Sequence, residues 1–148
     1  MNPGLKKAVF YIVIAGDDHT DHVFLRKAMN KLVPQAIVES LYETHETVTF
    51  LKNHQQHPHL IFLDQNMVNA GDEGMIKLIR STEDLKEVPV IILTDKKKIF
   101  TEKELLDAGA NEFYSKPYHV KALDHIVNEV REKWFVSMLG QTNAGGKT

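Results

Sequence analysis

Short apolar runs alternate along the chain with longer stretches of helical spacing, the pattern of repeated strand–helix units around a parallel sheet. Five runs predict strands: Val9–Ala15, Ala36–Leu41, Leu60–Leu63, Val88–Leu93 and Glu112–Tyr114. The first, third and fourth are almost continuously apolar, as expected where helices cover both faces of a sheet. The second and fifth are weaker, and the fifth is placed mainly by its neighbours.

Five segments of helical spacing fill the gaps. In the first, Thr20 or Asp21 can cap a helix whose stripe is Phe24, Ala28 and Leu32, with Pro34 stopping it. Thr44 can cap the second, which carries Val48 and Leu51 and ends near Asn53. The third runs from about Asp72 to Arg80 with Met75, Ile76 and Ile79 inward. The fourth spans about Phe100 to Ala108, and Gly109 is placed to end it in the left-handed conformation. The fifth, from about His119 to Met138, repeats Leu123, Ile126, Val127, Val130 and Trp134. Five such repeats predict a doubly wound, flavodoxin-like α/β fold, for which 2-1-3-4-5 is a common strand order.

Composition narrows the possibilities. At 148 residues, 43% hydrophobic and 26% charged, the chain fits one globular domain, expected over residues 1–139, with a small polar tail from 140 to 148 expected to be disordered. A net charge of −2 implies neither a nucleic-acid footprint nor a membrane-seeking surface. The absence of cysteine excludes disulfides and thiolate chemistry. Lys6 and Lys7 before the run Ala8–Ala15 imitate a signal peptide, but eight β-branched and aromatic-rich residues followed by Asp17 and Asp18 read better as a buried strand. The ending Gly145-Gly146-Lys147-Thr148 imitates a phosphate-binding loop, yet Gln141 stands where that pattern requires glycine, and a strand before and a helix after are needed.

Open parallel sheets bind ligands beyond the carboxyl ends of their strands. Here those ends carry Gly16, Asp17 and Asp18 after the first strand, and Asp64, Gln65, Asn66 and Met67 after the third. Thr94 ends the fourth, and Ser115, Lys116 and Pro117 follow the fifth. Converging carboxylates stay ionised together only when they share a cation. Hard oxygen donors without thiolate or imidazole suit Mg²⁺, which bridges phosphate oxygens readily. A lysine and a hydroxyl opposite them could bind the oxygens of a transferring phosphoryl group, with a carboxylate as nucleophile. Taken singly, Asp17, Asp18 and Asp64 read as helix caps, Thr94 as a strand residue and Lys116 as a solvated loop residue. The combination at strand ends is what points to chemistry.

At these residues the chain resembles the response-regulator receiver family, over about residues 8–138. The resemblance lies in His59-Leu60-Ile61-Phe62-Leu63-Asp64-Gln65-Asn66-Met67, Val88-Pro89-Val90-Ile91-Ile92-Leu93-Thr94 and Gly109-Ala110-Asn111-Glu112-Phe113-Tyr114-Ser115-Lys116-Pro117. It implies that Asp64 is the phosphoacceptor, that Thr94 and Lys116 contact the phosphoryl oxygens, and that Asp17 binds Mg²⁺ with the backbone carbonyl of Asn66. Phe113 matches the aromatic switch residue coupled to Thr94. The family's first acidic pair usually opens with an acid where Gly16 stands, and Asp18 is then a further candidate ligand. Val68 replaces a common proline, and Asp72 a common glycine. Lys96 lies where the family varies its dephosphorylation rate.

The resemblance further implies a cytoplasmic, stand-alone receiver, phosphorylated by a histidine kinase or phosphotransfer protein and acting on a downstream protein target. It would be no free-standing enzyme. Two rival expectations are a pseudo-receiver that binds partners without phosphorylation, and a flavodoxin-like cofactor enzyme. The carboxylates of the first loop would repel the phosphate of such a cofactor. His54, His57 and His59 match no metal spacing and read as loop residues; His19, His22, His119 and His125 lie on helices or their starts. Lys96-Lys97-Lys98 reads as a solvated face or a contact for an acidic partner. Trp134, Phe135 and Met138 offer surface either to the domain's own core or to a homodimer or partner.

Overall fold

A computed structural model of the chain describes residues 10–53, 57–69 and 74–136. Strands β1 (Phe10–Ala15), β2 (Ala36–Leu41), β3 (Leu60–Asp64), β4 (Val90–Thr94) and β5 (Glu112–Ser115) form one parallel sheet in the order β2-β1-β3-β4-β5. The pairing sets Ile12 opposite both Val38 and Leu60, Phe62 opposite Ile91, and Thr94 opposite Ser115. This register aligns the carboxyl ends of β1, β3, β4 and β5 along one edge.

Strand β4 starts two residues later than its apolar run, at Val90. Pro89 has no N–H to give a ladder, and its carbonyl instead accepts the Ile61 N–H at 2.9 Å. The tail and Met138 lie outside the described residues. So does Asp72, the expected start of the third helix.

Alternation along the strands divides the core into two layers. Phe10, Ile12, Ile14, Leu60, Phe62, Ile91 and Leu93 face α1 (His19–Leu32) and α5 (Leu123–Val130). Val13, Ala15, Ile61, Leu63, Val90 and Ile92 face α2 (Thr44–Asn53), α3 (Met75–Ser81) and α4 (Glu102–Ala108).

Several helix boundaries differ from the sequence expectation, for local reasons. Helix α1 starts at His19 because Asp18, extended at φ −94°, is its N-cap: its Oδ1 accepts the N–H groups of Thr20 and Asp21. That shifts the buried face to Leu25, Ala28 and Met29, with Phe24 and Leu32 at its margins. Thr44 lies within α2, whose inward residues are Thr47 and Leu51 with Val48 half-buried. Helix α3 begins after Gly74, whose φ of +93° favours glycine, and Met75, Ile76 and Ile79 point inward as expected.

Helix α4 starts two residues later than expected because Thr101 and Glu104 form a reciprocal capping box. Gly109 ends it at φ +116°, and a side chain there would meet Arg80 and Ile76 at 3.2 Å. A 3-10 turn (Val120–Ala122) leads into α5, which continues into a π-helical segment, Arg131–Phe135. That segment turns Phe135 onto the sheet, where it is fully buried and stacks on Phe10 at 5.4 Å; Trp134 packs beside it.

Candidate phosphoacceptor site

The aligned carboxyl edge gathers an acidic crevice. Asp64, the last residue of β3, is 4% exposed. Its Oδ1 accepts the Asn66 N–H at 2.9 Å, so the carboxylate also caps the 3-10 turn Gln65–Met67. Its Oδ2 lies 2.6 Å from the Lys116 ammonium, which the loop after β5 delivers. Lys116 is itself one-tenth exposed and stands 3.3 Å from Asp95 Oδ1.

A residue absent from the sequence expectation completes the arrangement. Asp21, in the first turn of α1, is 5% exposed and places Oδ2 2.5 Å from the same ammonium. The sequence offered it only as a possible cap. Its place in the first turn of the helix that follows β1, three residues after Asp18, was the signal that it could face the crevice.

Electrostatics follow from that geometry. Burial pulls the Lys116 pKa down, but the hydrogen bonds and charges of Asp21 and Asp64 outweigh it, and the ammonium titrates above the ordinary lysine value. Burial pushes Asp21 up; Lys116 draws it back only in part, while Asp18 and Asp64 add to the rise. A buried cation thus faces more negative charge than it can neutralise.

The other expected residues take distinct places. Asp17 and Asp18 are exposed at the mouth, and Asp18 is engaged by the first turn of α1. The Thr94 hydroxyl is buried and reaches the Tyr114 carbonyl and Ser115 Oγ, both at 3.4 Å, at the end of β5. Phe113 is half-buried against the α2–α4 layer. Gly16 is buried, and a Cβ there would meet Asp64 Cβ at 3.0 Å, so a side chain at this position would need Asp64 or the loop to give by a few tenths of an ångström.

Two supports were not legible in the sequence. His22 is buried and its Nε2 donates to the Gly16 carbonyl at 2.7 Å, fixing the loop after β1; burial lowers its pKa against that bond. Tyr42 packs against the rings of both His19 and His22 at 4.2 Å. Gln65, also buried, donates to the Lys97 carbonyl at 3.0 Å and so ties the loop after β4 to the residue next to Asp64. The sequence could not assign these roles because each depends on which face of a helix or which loop meets its partner in the fold.

The histidines before β3 do not gather: His57 pairs with Asp84 at 3.2 Å, whereas His59 Nδ1 accepts the Tyr11 N–H at 2.9 Å, and His54 lies outside the described residues. Lys96, at the rim, sits over the Tyr118 ring at 3.6 Å. An open cleft of about 320 Å³, lined by Asp18, Asp21, Asp95, Lys96, Lys97 and Lys116, leads to the buried carboxylates.

The donor set fits a hard divalent cation. Among the described residues no three carboxylate or imidazole groups form a ready-made cage. Mg²⁺ needs none, since it keeps several waters and takes one or two carboxylates with phosphate oxygens.

A doubly wound sheet with a buried aspartate–lysine pair at its carboxyl edge is the architecture of a signalling receiver. The family model described as the response regulator receiver domain matches residues 12–128, and the chain belongs to that family. It is 21% identical over 129 residues to the probable methanogenesis regulatory protein FilR2 of Methanothrix harundinacea, the match covering 84% of this chain and 83% of that protein. The crystal structure of the phosphorylated cyanobacterial phytochrome response regulator RcpA aligns with a TM-score of 0.71 at 21% identity, covering 88% of this chain and 96% of that one. The receiver domain of sensor histidine kinase PA1611 from Pseudomonas aeruginosa, solved with a magnesium ion coordinated in its active-site cleft, aligns at 0.66 and 21% identity, covering 86% and 98%. At these identities the structural likenesses speak for the fold. Among the described residues no helix is long and apolar enough to cross a membrane.

Proposed function

We propose that Asp64 accepts a phosphoryl group from a phosphohistidine of a histidine kinase or phosphotransfer protein, and that the resulting change at the loop after β4 is passed to a downstream protein. The N–P bond of the donor breaks, a P–O bond to the Asp64 carboxylate forms, and water later hydrolyses the acyl phosphate. The carrying observation is the 2.6 Å pair of Lys116 with a nearly buried Asp64 at the carboxyl edge of the sheet.

Each residue then has a task. The Asn66 N–H and Lys116 hold the carboxylate in place. Once the phosphoryl group is attached, Lys116 is positioned to exchange a carboxylate oxygen for a phosphoryl oxygen at little reorganisation cost. The Thr94 hydroxyl supplies a second donor by turning away from the end of β5, and the half-buried Phe113 ring is free to repack as it does so. Mg²⁺, held by Asp64, Asp17 and the Asn66 carbonyl with Asp18 at the rim, would neutralise charge on the transferring group. The chain works inside the cell, by contact with proteins and without nucleic acid, and catalyses only its own phosphorylation and dephosphorylation.

Incubation with a small phosphodonor and Mg²⁺, followed by intact-mass measurement, tests this reading. One added phosphoryl group on the wild type and none on Asp64→Asn is expected. Gly16, in place of a usual acid, favours a second reading: a pseudo-receiver that binds partners without phosphorylation. An unmodified wild type, together with partner capture that Asp64→Asn leaves unchanged, would establish it.

A further inference from the structure

Gln65 directly follows the candidate acceptor and is 2% exposed, yet its side chain ends in an amide. Burying an amide is costly unless its donor and acceptor ends both find partners. The loop after β4 supplies both. Gln65 Nε2 donates to the Lys97 carbonyl at 3.0 Å, and Oε1 receives the Ile99 N–H at a longer 3.5 Å. Together these partners fix which way the amide points, since a carbonyl must face its NH₂ end and an N–H its oxygen.

The backbone of the same residue is tied to Asp64. Gln65 opens the 3-10 turn Gln65–Met67, which the Asp64 carboxylate caps through the Asn66 N–H at 2.9 Å. The Gln65 carbonyl closes the turn by accepting the Val68 N–H at 3.2 Å. Met67 and Val68 are buried in the α2–α4 layer, so the far end of the turn is anchored while its cap is the acceptor itself. A continuous series of bonds thus runs from Asp64 Oδ1, through the turn, to Lys97 and Ile99. Its outer end faces solvent: Lys97 and Lys98 are exposed, and Ile99 is 55% exposed.

We propose that Gln65 is a positioning residue that couples the state of Asp64 to the loop after β4. The assignment rests on the proposed reading of Asp64 as phosphoacceptor and adds a route separate from the Thr94 hydroxyl. An acyl phosphate replaces the carboxylate with a neutral carbonyl and moves the negative charge out to the phosphoryl oxygens. The charge-assisted bond from the Asn66 N–H then weakens, and the turn it caps is free to shift. The Gln65 amide takes the loop with it, because staying behind would leave a buried donor and acceptor unpaired. Thr94 acts where β4 ends; Gln65 acts further along, at the exposed part of the loop.

The test compares amide chemical shifts before and after phosphorylation by a small phosphodonor with Mg²⁺, with intact mass confirming one phosphoryl group per chain. The Asn66 amide reports on the acceptor. The Ile99 amide and the Lys98 amide, which shares a peptide unit with the Lys97 carbonyl, report on the loop. Gln65→Met keeps the length of the side chain and removes both bonds. Its Asn66 response is expected to remain, while the Lys98 and Ile99 responses fall by about twofold or more. Gln65→Glu keeps the acceptor and loses the donor, so it should lose the Lys98 response and retain that of Ile99. Thr94→Val should leave a loop response that disappears when Gln65→Met is added. Loop responses of wild-type size in Gln65→Met or Gln65→Glu, with Asn66 still moving, would overturn the coupling and leave the phosphoacceptor reading intact. A wild type that gains no phosphoryl mass would overturn both.

Discussion

Strand β5 carries a cation problem at each end, and the two solutions differ. At its amino end, Arg80 from the last turn of α3 is half-buried and wholly occupied by neutral acceptors. Its guanidinium donates to the carbonyls of Gly109 at 2.8 and 3.1 Å, Val88 at 2.8 Å, Lys86 at 3.0 Å and Leu85 at 3.3 Å, and to Asn111 Oδ1 at 2.7 Å. Asn111 Oδ1 also accepts the Val90 N–H. Burial lowers the Arg80 pKa, with Glu87 resisting. At the carboxyl end, Lys116 faces full negative charges and titrates upward. Fixed carbonyl dipoles make Arg80 a permanent tie between α3 and the starts of β4 and β5. Three carboxylates around one ammonium give Lys116 a choice of charged partners that Arg80 lacks. The planar fork suits the first task, and the compact, rotatable ammonium suits the second.

Breaking each cation sharpens the contrast. Lys116→Met should slow phosphorylation of Asp64 by about 10²–10³-fold, the usual consequence of removing a positioned donor to a developing charge; a small phosphodonor and intact-mass time courses read this. Arg80→Ala should instead cost about 2–3 kcal/mol of stability in urea unfolding, because several part-buried carbonyls lose a charged donor at once. The folded fraction should phosphorylate at an ordinary rate, and Arg80→Lys should not restore stability.

A smaller effect concerns the carboxylate that shares Lys116. The Asp21 pKa is raised on folding, so the folded state holds this proton more tightly than the unfolded one. The cost of ionising Asp21 therefore builds up as the pH rises from the ordinary value of 3.8 through its raised folded value, and stays in full above it. In metal-free buffer Asp21→Asn should melt higher than the wild type at pH 7, with the gap closing as the pH falls toward that ordinary value; thermal unfolding across pH checks this. The smallest effect is expected at the rim. Lys96→Ala removes an ammonium from the Tyr118 face and should alter the lifetime of the acyl phosphate by no more than a few-fold, measured as decay of the phosphorylated mass.

Much of this was legible in the chain itself. The short apolar runs at β1, β3 and β4, rich in β-branched residues, read as strands covered on both sides, and Ile12, Phe62 and Ile92 are fully buried there. Gly109 was placed correctly because a helix end needing positive φ leaves its mark in one residue. Helix starts were read less well. Asp18, Thr101 and Gly74 open their helices through backbone conformations and short-range bonds that several neighbouring polar residues could equally have supplied. Asp64 and Lys116 were found because residues at strand ends converge in any parallel sheet. Asp21 was misjudged as a possible cap because its role depends on the side of α1 that meets Lys116, ninety-five positions away.

By itself, then, the sequence determined the alternation of strands and helices, the strand order and the presence of an aspartate and a lysine at one edge. These follow from periodicity and connection rules that act locally or through the sheet as a whole. Only the tertiary structure decided which carboxylates share the ammonium, which cap a helix and which cation is tied to the backbone. Those choices are made by ångström-scale packing between distant elements, where burial raises the energetic stake of every unpaired charge.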